Sequence, residues 1–441
     1  MIKSSKEDGH YPDYTLEKIE MMKVKVSQLF KAIICIVTLY ILGFDKIIAL
    51  PGSSFSYEIL IAVTGVLLAL YVKNKSISNQ NLKTQCVALS NYLKVYLIII
   101  LIEMMYSMAA YGYSFTQLLI VARKYFYVFY AYPIIYIFSM DNDAHKFINK
   151  IYWISMLLLI IKSVTWYLYN FRGVTIFSGL LLQYSEGWTR NGFIRMDTGP
   201  LFGVVLCLTL YYCLVKKQVF YWSVLVFLYL YLIFVTQYRF QIIVTIVLTV
   251  YCYYCSTATN RKKTIRLMAI SFAIIVFVIS GGLDYVLNMF SLNGTEGGST
   301  QARLLTIDHY VRVIKEKDAI LGVGFLSTYT SKAFDILRRS DTDSFWLEDL
   351  GILGGIFRFG ITSLVLYGKL FSDSIKRTFL SYRIRKNSSN DNVFEKCIVA
   401  YMIGSCILLN IFDAQRIWSV PFYLGIIYFA QNPIKKSVKS K

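Results

Sequence analysis

Long apolar segments recur along the chain and are separated by shorter polar stretches. Many approach the roughly 20 residues that an α-helix needs to cross a bilayer core about 30 Å thick. The pattern predicts an all-α, polytopic membrane protein with about 12 transmembrane helices in a single integral membrane domain, residues 1–441. The predicted spans lie at about 32–50, 57–72, 95–111, 118–139, 148–169, 198–215, 219–235, 240–256, 267–283, 351–371, 394–412 and 417–431.

Composition agrees with this pattern. Hydrophobic residues make up 56% of the 441 residues and charged residues 16%, so a separate soluble domain is not expected. The first apolar run lacks a small-residue cleavage site after it, which predicts a retained helix instead of a signal peptide. Most of the eight cysteines lie inside apolar runs, and the Cys252–Cys255 pair has no second pair or histidine nearby. We interpret them as small buried apolar side chains.

The distribution of basic residues predicts the orientation of the chain. If the N-terminus is cytoplasmic, the inner segments and adjoining span ends hold 29 lysines and arginines against 13 outside. This is the positive-inside pattern, and it places both the N- and C-terminal tails in the cytoplasm. The net charge of +20 is therefore explained by cytoplasmic lysine, and nucleic acid is not expected as a partner. Four basic residues remain within spans: Arg123, Lys124, Lys162 and Arg358.

Arginine is concentrated on the predicted outer face. That face holds 9 arginines and 4 lysines, although the whole chain has 16 arginines and 30 lysines. Arginine offers a planar fork of donors that binds carboxylate or phosphate with two hydrogen bonds. The bias predicts an anion-binding outer surface. Its arginines are Arg172, Arg190, Arg195, Arg239, Arg303, Arg312, Arg338, Arg339 and Arg416.

Arg239 stands apart in this set, because it lies alone between two apolar spans in "FVTQYRFQII". An ionisable group at such a position is costly and is a functional candidate by default. Headgroup contact or snorkelling is the alternative for any of these arginines, and we favour it for Arg172, Arg338 and Arg339.

Two external loops are long, at about 170–197 and 284–350. A loop of more than about 15 residues in a compact protein is usually functional. Residues 301–317 of the second loop, between spans 9 and 10, have helical spacing. We predict an external helix there, capped by Ser299 or Thr300, and a turn at "LGVGF" after it.

The order of these motifs resembles the bacterial polysaccharide polymerases of the Wzy type and the related O-antigen ligases. The resemblance rests on "QYR" after a span, then "STQARLLTIDHYVRVIKEKDAILGVGF", then "SDTDSFWLEDLGILGGIFRFG". It covers about residues 185–360. It implies transfer of a glycan from undecaprenyl pyrophosphate to an acceptor at the outer face of the bacterial cytoplasmic membrane.

The resemblance also implies roles for residues of this chain. Arg239 and Arg303 match the two external arginines of the family. The ligase histidine at the start of the tenth span is absent, and a carboxylate, foremost Asp343, is left to take the acceptor proton. We assign the catalytic roles to Arg239, Arg303 and Asp343. The substrate contacts that we predict are Arg190, Arg195, Arg312, Arg416 and Glu348.

The implied chemistry requires no cofactor and no metal, since arginines stabilise the pyrophosphate leaving group as its charge develops. "DTD" at 341–343 leaves metal binding as an alternative. The expected partners are the undecaprenyl-pyrophosphate-linked oligosaccharide and the lipid bilayer, and a chain-length regulator is left open. The alternative functions are an O-antigen ligase-type transferase and a lipid-linked oligosaccharide flippase. A sugar transferase of the undecaprenyl-phosphate type is a further rival, but it usually carries paired acids in its first external loop, and here that loop offers only Asp45 and Glu58.

Overall fold

The fold is all-α, as predicted. The computed structural model describes residues 14–48, 54–140, 144–182, 189–190, 192–256, 260–280, 297–316, 320–338, 345, 347–384 and 393–429. The helices of the first half are α1 Tyr14–Ile41, α2 Ser54–Lys75, α3 Gln80–Tyr111, α4 Phe115–Ala122, α5 Ala131–Met140, α6 Ala144–Arg172, α7 Ser178–Leu182 and α8 Phe202–Leu214. Those of the second half are α9 Phe220–Leu230, α10 Arg239–Cys255, α11 Asn260–Ile279, α12 Gly297–Glu316, α13 Ser331–Leu337, α14 Ile352–Ile384, α15 Val393–Leu409 and α16 Ser419–Phe429.

Shorter segments join these helices. The 3₁₀ segments are Phe44–Lys46, Ser76–Ser78, Arg123–Tyr130 and Leu347–Leu350, and a π-helical turn, Tyr231–Thr236, continues α9. A two-stranded antiparallel hairpin pairs β1, Thr189–Arg190, with β2, Phe193–Ile194.

Within the described residues, five helices are long and apolar enough to cross a membrane. They are Phe55–Ser78, Leu82–Tyr111, Phe115–Ser139, Lys146–Arg172 and Ile352–Thr378. Four shorter apolar helices lie at Phe202–Leu214, Phe220–Thr236, Arg239–Cys255 and Ser419–Phe429. Every predicted span overlaps a helix, and the chain is a helical protein with several segments suited to a bilayer.

Some helix boundaries differ from the predicted ones. The first span was predicted to run to residue 50, but α1 ends at Ile41, because Gly43 adopts a left-handed conformation (φ 93°) that stops the helix. Lys46 therefore lies outside α1. Helix α12 begins at Gly297, so Ser299 and Thr300 lie within its first turn and do not cap it.

The interior of the bundle forms around α16. Its residues Ser419–Tyr428 are all buried, and it packs against α3, α5, α8, α14 and α15. A helix that is apolar on every side lies either in a protein core or in a membrane, and α16 is enclosed by other helices. At the periphery, α2 and α11 expose large apolar side chains such as Leu60, Met268 and Phe272, as helices in contact with lipid do.

A disulfide joins Cys252 of α10 to Cys397 of α15, and these two helices also pack along each other. Both cysteines are fully buried, as interpreted, and the bond between them was not predicted. Cys252 bonds across the bundle and not to Cys255, its neighbour in the Cys-x-x-Cys pair.

Helix α14 is broken near its start. Gly360 has φ 52° and ψ −137°, which interrupts the helical hydrogen bonds and exposes carbonyl groups before it. The predicted "LGVGF" turn occupies this break: the Val323 N–H donates to the Phe357 carbonyl at 2.8 Å, and the Gly324 N–H donates to the Arg358 carbonyl at 2.7 Å. The turn thus satisfies backbone groups that the broken helix leaves open, and it fixes the position of Arg358.

Candidate functional site

Three arginines from separate parts of the chain converge at the N-terminus of α10. Arg239 is the first residue of α10 and is only 6% exposed. The Arg303 guanidinium carbon lies 4.9 Å from the centroid of the Phe240 ring, and that of Arg195 lies 5.9 Å from the Tyr238 ring. We name Arg195, Arg239 and Arg303 the arginine cluster. The sequence predicted all three as site residues, and the fold brings them together.

A tight turn between α9 and α10 places Arg239 at the helix start. The π-helical turn ends at Thr236, and Gln237 takes the left-handed conformation, with φ 55°. Its N–H donates to the Leu232 carbonyl at 2.9 Å. Tyr238 is extended, and α10 begins at the next residue. The free N–H groups of a helix N-terminus carry partial positive charge, which adds to that of the guanidinium groups and favours an anion.

The segment before α8 runs along the end of α9 and positions Arg195. The Met196 N–H donates to the Val235 carbonyl at 3.0 Å. The Tyr231 hydroxyl donates to the Asp197 carbonyl at 2.7 Å. On the other side, the Ile194 N–H donates to the Asn170 side chain of α6 at 2.9 Å. Arg195 is therefore held between anchored residues on both sides.

Helix α12 carries Arg303 and packs with its middle turns against the start of α14. The Tyr310 hydroxyl donates to the Phe345 carbonyl at 2.9 Å, and the Tyr310 ring stacks on Phe357 at 5.9 Å. His309 stacks on the Phe345 ring at 4.0 Å. Since Arg303 reaches Phe240 from the same helix, α12 connects the N-terminus of α10 with the start of α14.

A buried charge network lies at the start of α14. Arg358 donates to the Tyr125 hydroxyl at 2.7 Å and to a Glu348 carboxylate oxygen at 2.9 Å, and an Asp413 oxygen lies 4.0 Å away. Asp413 is fully buried. Burial, together with the nearby charge of Glu348, raises the pKa of the Asp413 carboxyl, although Arg358 and Arg416 oppose the shift. Glu348 was predicted as a substrate contact, and in the structure it holds Arg358 in place.

Arg416 lies beside this network and faces a small cavity of about 30 Å³. It donates to the Leu409 carbonyl at 2.9 Å. The same cavity is lined by Gln241, which belongs to the first turn of α10, and by Thr198, which hydrogen-bonds to Gln241 at 3.1 Å. Arg416 is therefore near the N-terminal turn of α10.

The remaining predicted residues lie elsewhere or are not described. Arg312 is on an exposed face of α12, where it pairs with Asp308 at 2.9 Å, and nothing places it beside the arginine cluster. Arg190 belongs to β1, and only its backbone is described. Asp343 lies outside the described residues. Among the described residues, no group of three or more histidine, cysteine, aspartate or glutamate side chains is arranged to hold a metal ion.

A larger cavity, of about 410 Å³, opens beside the segment that carries Asp197. We name it the mixed-charge cavity, because both lysines and carboxylates line it. The charged lining residues are Asp45, Lys46, Glu58, Lys124 and Asp197. Sequence reasoning did not assign this cavity. The sequence signal that could have led to it is the presence of Lys124 and Lys162 within predicted spans, since charged residues within a membrane mark functional sites.

Each in-span cation near this cavity has a carboxylate partner. Lys124 pairs with Glu58 at 3.0 Å, and Arg123 also pairs with Glu58. Lys162 of α6, which is 3% exposed, pairs with Asp197. These pairs link α2 to the 3₁₀ segment Arg123–Tyr130, and α6 to the segment before α8.

Comparison of the sequence with protein-family models and with curated proteins found no match.

Proposed function

We propose that the chain is a glycosyltransferase of the polysaccharide-polymerase kind. It joins lipid-linked oligosaccharide repeat units, carried on undecaprenyl pyrophosphate, at the outer face of the bacterial cytoplasmic membrane during synthesis of a surface polysaccharide. The observation that carries this proposal is the convergence of Arg195, Arg239 and Arg303 at the N-terminus of α10. A pyrophosphate is the kind of anion that such a set of donors binds.

The proposed topology has twelve crossings with both termini in the cytoplasm. It rests on the lysine and arginine distribution and on the overlap of each predicted span with a helix. With this orientation the arginine cluster, the mixed-charge cavity and the loop between α15 and α16 share the outer side. The long external loop between spans 9 and 10 then contributes α12, which lies against the bundle end.

The proposed reaction is a displacement at the anomeric carbon of the donor glycan. The acceptor hydroxyl oxygen forms a bond to that carbon, and the bond from the carbon to the pyrophosphate oxygen breaks. The electron pair leaves with undecaprenyl pyrophosphate, whose growing charge the arginine cluster stabilises. The acceptor proton passes to a carboxylate, for which we propose Asp343. No metal or nucleotide enters this scheme.

The proposal is tested with the purified chain in proteoliposomes, where lipid-linked repeat units are supplied only on the external face without nucleotide or added metal. We expect the wild type to lengthen the glycan. Arg239→Ala and Arg303→Ala should abolish polymer formation while the protein stays folded in the membrane. Arg239→Lys should restore little activity, because lysine keeps the charge but loses the two-donor fork.

Arg312→Ala is the matched control, since Arg312 is an exposed arginine of α12 that already pairs with Asp308. We expect a smaller loss than for Arg303→Ala. Full activity of the double variant Arg239→Lys/Arg303→Lys would show that charge alone suffices. Absence of glycan lengthening by the wild type in this assay would favour a flippase over a polymerase, and transfer to a different anchor would favour a ligase.

A further inference from the structure

An apolar groove runs between α1 and α2. Both helices pack on α5, and a space of about 570 Å³ lies between them. Apolar side chains from both helices line it, among them Ile36, Val37, Leu60 and Ile61. Ile36 is 64% exposed and Leu60 is 61% exposed, so the groove opens toward the face that contacts lipid tails in a membrane protein.

The groove ends at the mixed-charge cavity. Tyr40 and Asp45 line both spaces, so the two spaces adjoin near the end of α1. The Tyr40 ring lies 5.5 Å from the Tyr57 ring of α2, and the two rings mark this boundary. The groove is apolar and the adjoining cavity is charged. This distribution of polarity suits an amphiphile.

The charged end has the composition of a site for a phosphorylated, hydroxyl-rich head group. Lys46 supplies cationic donors, and so does Lys124, which also pairs with Glu58. Asp45 and Asp197 supply acceptors for hydroxyl groups. Aromatic faces are present too, since Tyr127 and Trp418 also line the cavity. Its volume of about 410 Å³ falls within the roughly 300–1,000 Å³ typical of small-molecule sites.

We propose that the groove and the mixed-charge cavity bind a second polyprenyl-pyrophosphate-linked saccharide, distinct from the one at the arginine cluster. The polyprenyl chain lies between α1 and α2, and the pyrophosphate and first sugars lie in the cavity. This inference rests on the proposed function, because a polymerase must hold a donor and an acceptor that are both lipid-linked.

The two sites adjoin, as a transfer between their ligands requires. Pro200 lines the mixed-charge cavity and also the small cavity that Gln241 lines. Gln241 follows Arg239 by two residues in the first turn of α10. The segment around Thr198–Pro200 and the loop before α16 contribute to the walls of both cavities.

The test counts lipids on the full-length chain in phosphatidylglycerol nanodiscs, with undecaprenyl pyrophosphate as the probe and native mass spectrometry as the measurement. The wild type should retain two probe molecules. Leu60→Trp fills the groove from an exposed position and should lower the occupancy of one of them by about tenfold or more. Leu70→Trp is the control, because Leu70 lies on the same helix, is 59% exposed and does not line the groove.

Arg239→Ala separates this inference from the proposed function. We expect it to lose the other probe molecule, and Leu60→Trp/Arg239→Ala should lose both. If Leu60→Trp retains two probe molecules, ordinary phospholipid fills the groove and the inference fails, whatever Arg239→Ala does. If Leu60→Trp loses one and Arg239→Ala loses none, the second site stands and the pyrophosphate role of the arginine cluster fails.

Discussion

At the scale of single residues, the carboxylate that accepts the proton is the most direct test of the proposed chemistry. Asp343→Asn keeps the size of the side chain and removes its basicity. We expect the initial rate of glycan lengthening to fall by roughly 10²–10⁴-fold, as is typical for loss of a general base. Binding of the lipid-linked donor, measured separately, should survive because the arginine cluster is intact.

Asp341→Asn and Glu348→Gln are the comparisons for this variant. Glu348 pairs with Arg358 at 2.9 Å, so Glu348→Gln should lower the melting temperature. Its effect on the rate should be smaller than that of Asp343→Asn. A normal rate for Asp343→Asn with a large loss for one of the others would reassign the base and keep the mechanism. Normal rates for all three would exclude these carboxylates as the base and leave the arginines as the main source of catalysis.

Asp413 gives a pH-dependent prediction that concerns stability. Folding raises the pKa of its carboxyl, mainly through burial and then through Glu348. A raised pKa means that the folded chain binds the proton more tightly than the unfolded chain. The resulting stability is complete below the ordinary carboxyl pKa of about 3.9 and is lost as the pH rises through the raised value.

The asparagine side chain of Asp413→Asn does not titrate. As the pH rises above about 4, we therefore expect the melting temperature of this variant to fall less than that of the wild type. Thermal unfolding in detergent at a series of pH values measures this difference. Parallel curves for the two proteins would mean that Asp413 is not titrating in that range. Ser419→Ala serves as a control, since Ser419 is a buried neutral residue that follows the same loop.

The sequence did not predict which carboxylate pairs with each cation of the spans. Arg123, Lys124, Lys162 and Arg358 were identifiable as cations within apolar spans. Their carboxylate partners follow from helix packing: Glu58 is 65 residues away from Arg123, and Asp197 is 35 residues away from Lys162. No local pattern in one sequence encodes such pairs.

At the scale of secondary-structure elements, the break in α14 is the feature with the clearest consequence. A Cβ atom at Gly360 would lie 2.0 Å from the Ile320 carbonyl oxygen, and φ 52° is itself unfavourable for other residues. We expect Gly360→Ala to destabilise the protein by at least the roughly 1–3 kcal/mol of a strained backbone position. It should also reduce activity, because Arg358 lies two residues before the break.

Gly368→Ala is the matched control in the same helix, since a Cβ there would meet no atom within 4 Å. It should leave the melting temperature unchanged or raise it slightly, because alanine favours the helix by roughly 0.5–1 kcal/mol over glycine. Equal effects of the two substitutions on the melting temperature and on glycan lengthening would show that the break does not position Arg358.

The helices themselves were predictable, and their interruptions were less so. Apolar runs locate most helices within a few residues, because bilayer-spanning and core helices need continuous apolar sequence. The helix α12 was found from its spacing and is confirmed at Gly297–Glu316. The break at Gly360 was not predicted, because it depends on the "LGVGF" turn docking from a distant part of the chain.

At the scale of the whole molecule, the proposed function depends on which face of the membrane holds the arginine cluster. The cluster, the mixed-charge cavity and the N-terminal end of α14 lie at helix ends that the lysine distribution assigns to the outside. Polymerisation of lipid-linked repeat units on the outer face requires this assignment. The alternative orientation would bring the same residues to the cytoplasm, where the proposed substrate would be on the wrong side of the bilayer.

Topology reporters decide between the two orientations. Fusions after Lys263 and after Lys386 follow basic segments, "RKKTIR" and "KRTFLSYRIRK", so a fluorescent reporter that matures only in the cytoplasm should be active at both. A fusion of alkaline phosphatase near Glu296 should be active, because this enzyme folds only outside the cytoplasm, where its disulfides form. As the control, the reporters are exchanged. Alkaline phosphatase after Lys263 or Lys386 and the fluorescent reporter near Glu296 should then be inactive. Fluorescence from the Glu296 fusion would place the loop that carries Arg303 in the cytoplasm, and the proposed outer-face reaction would then be wrong.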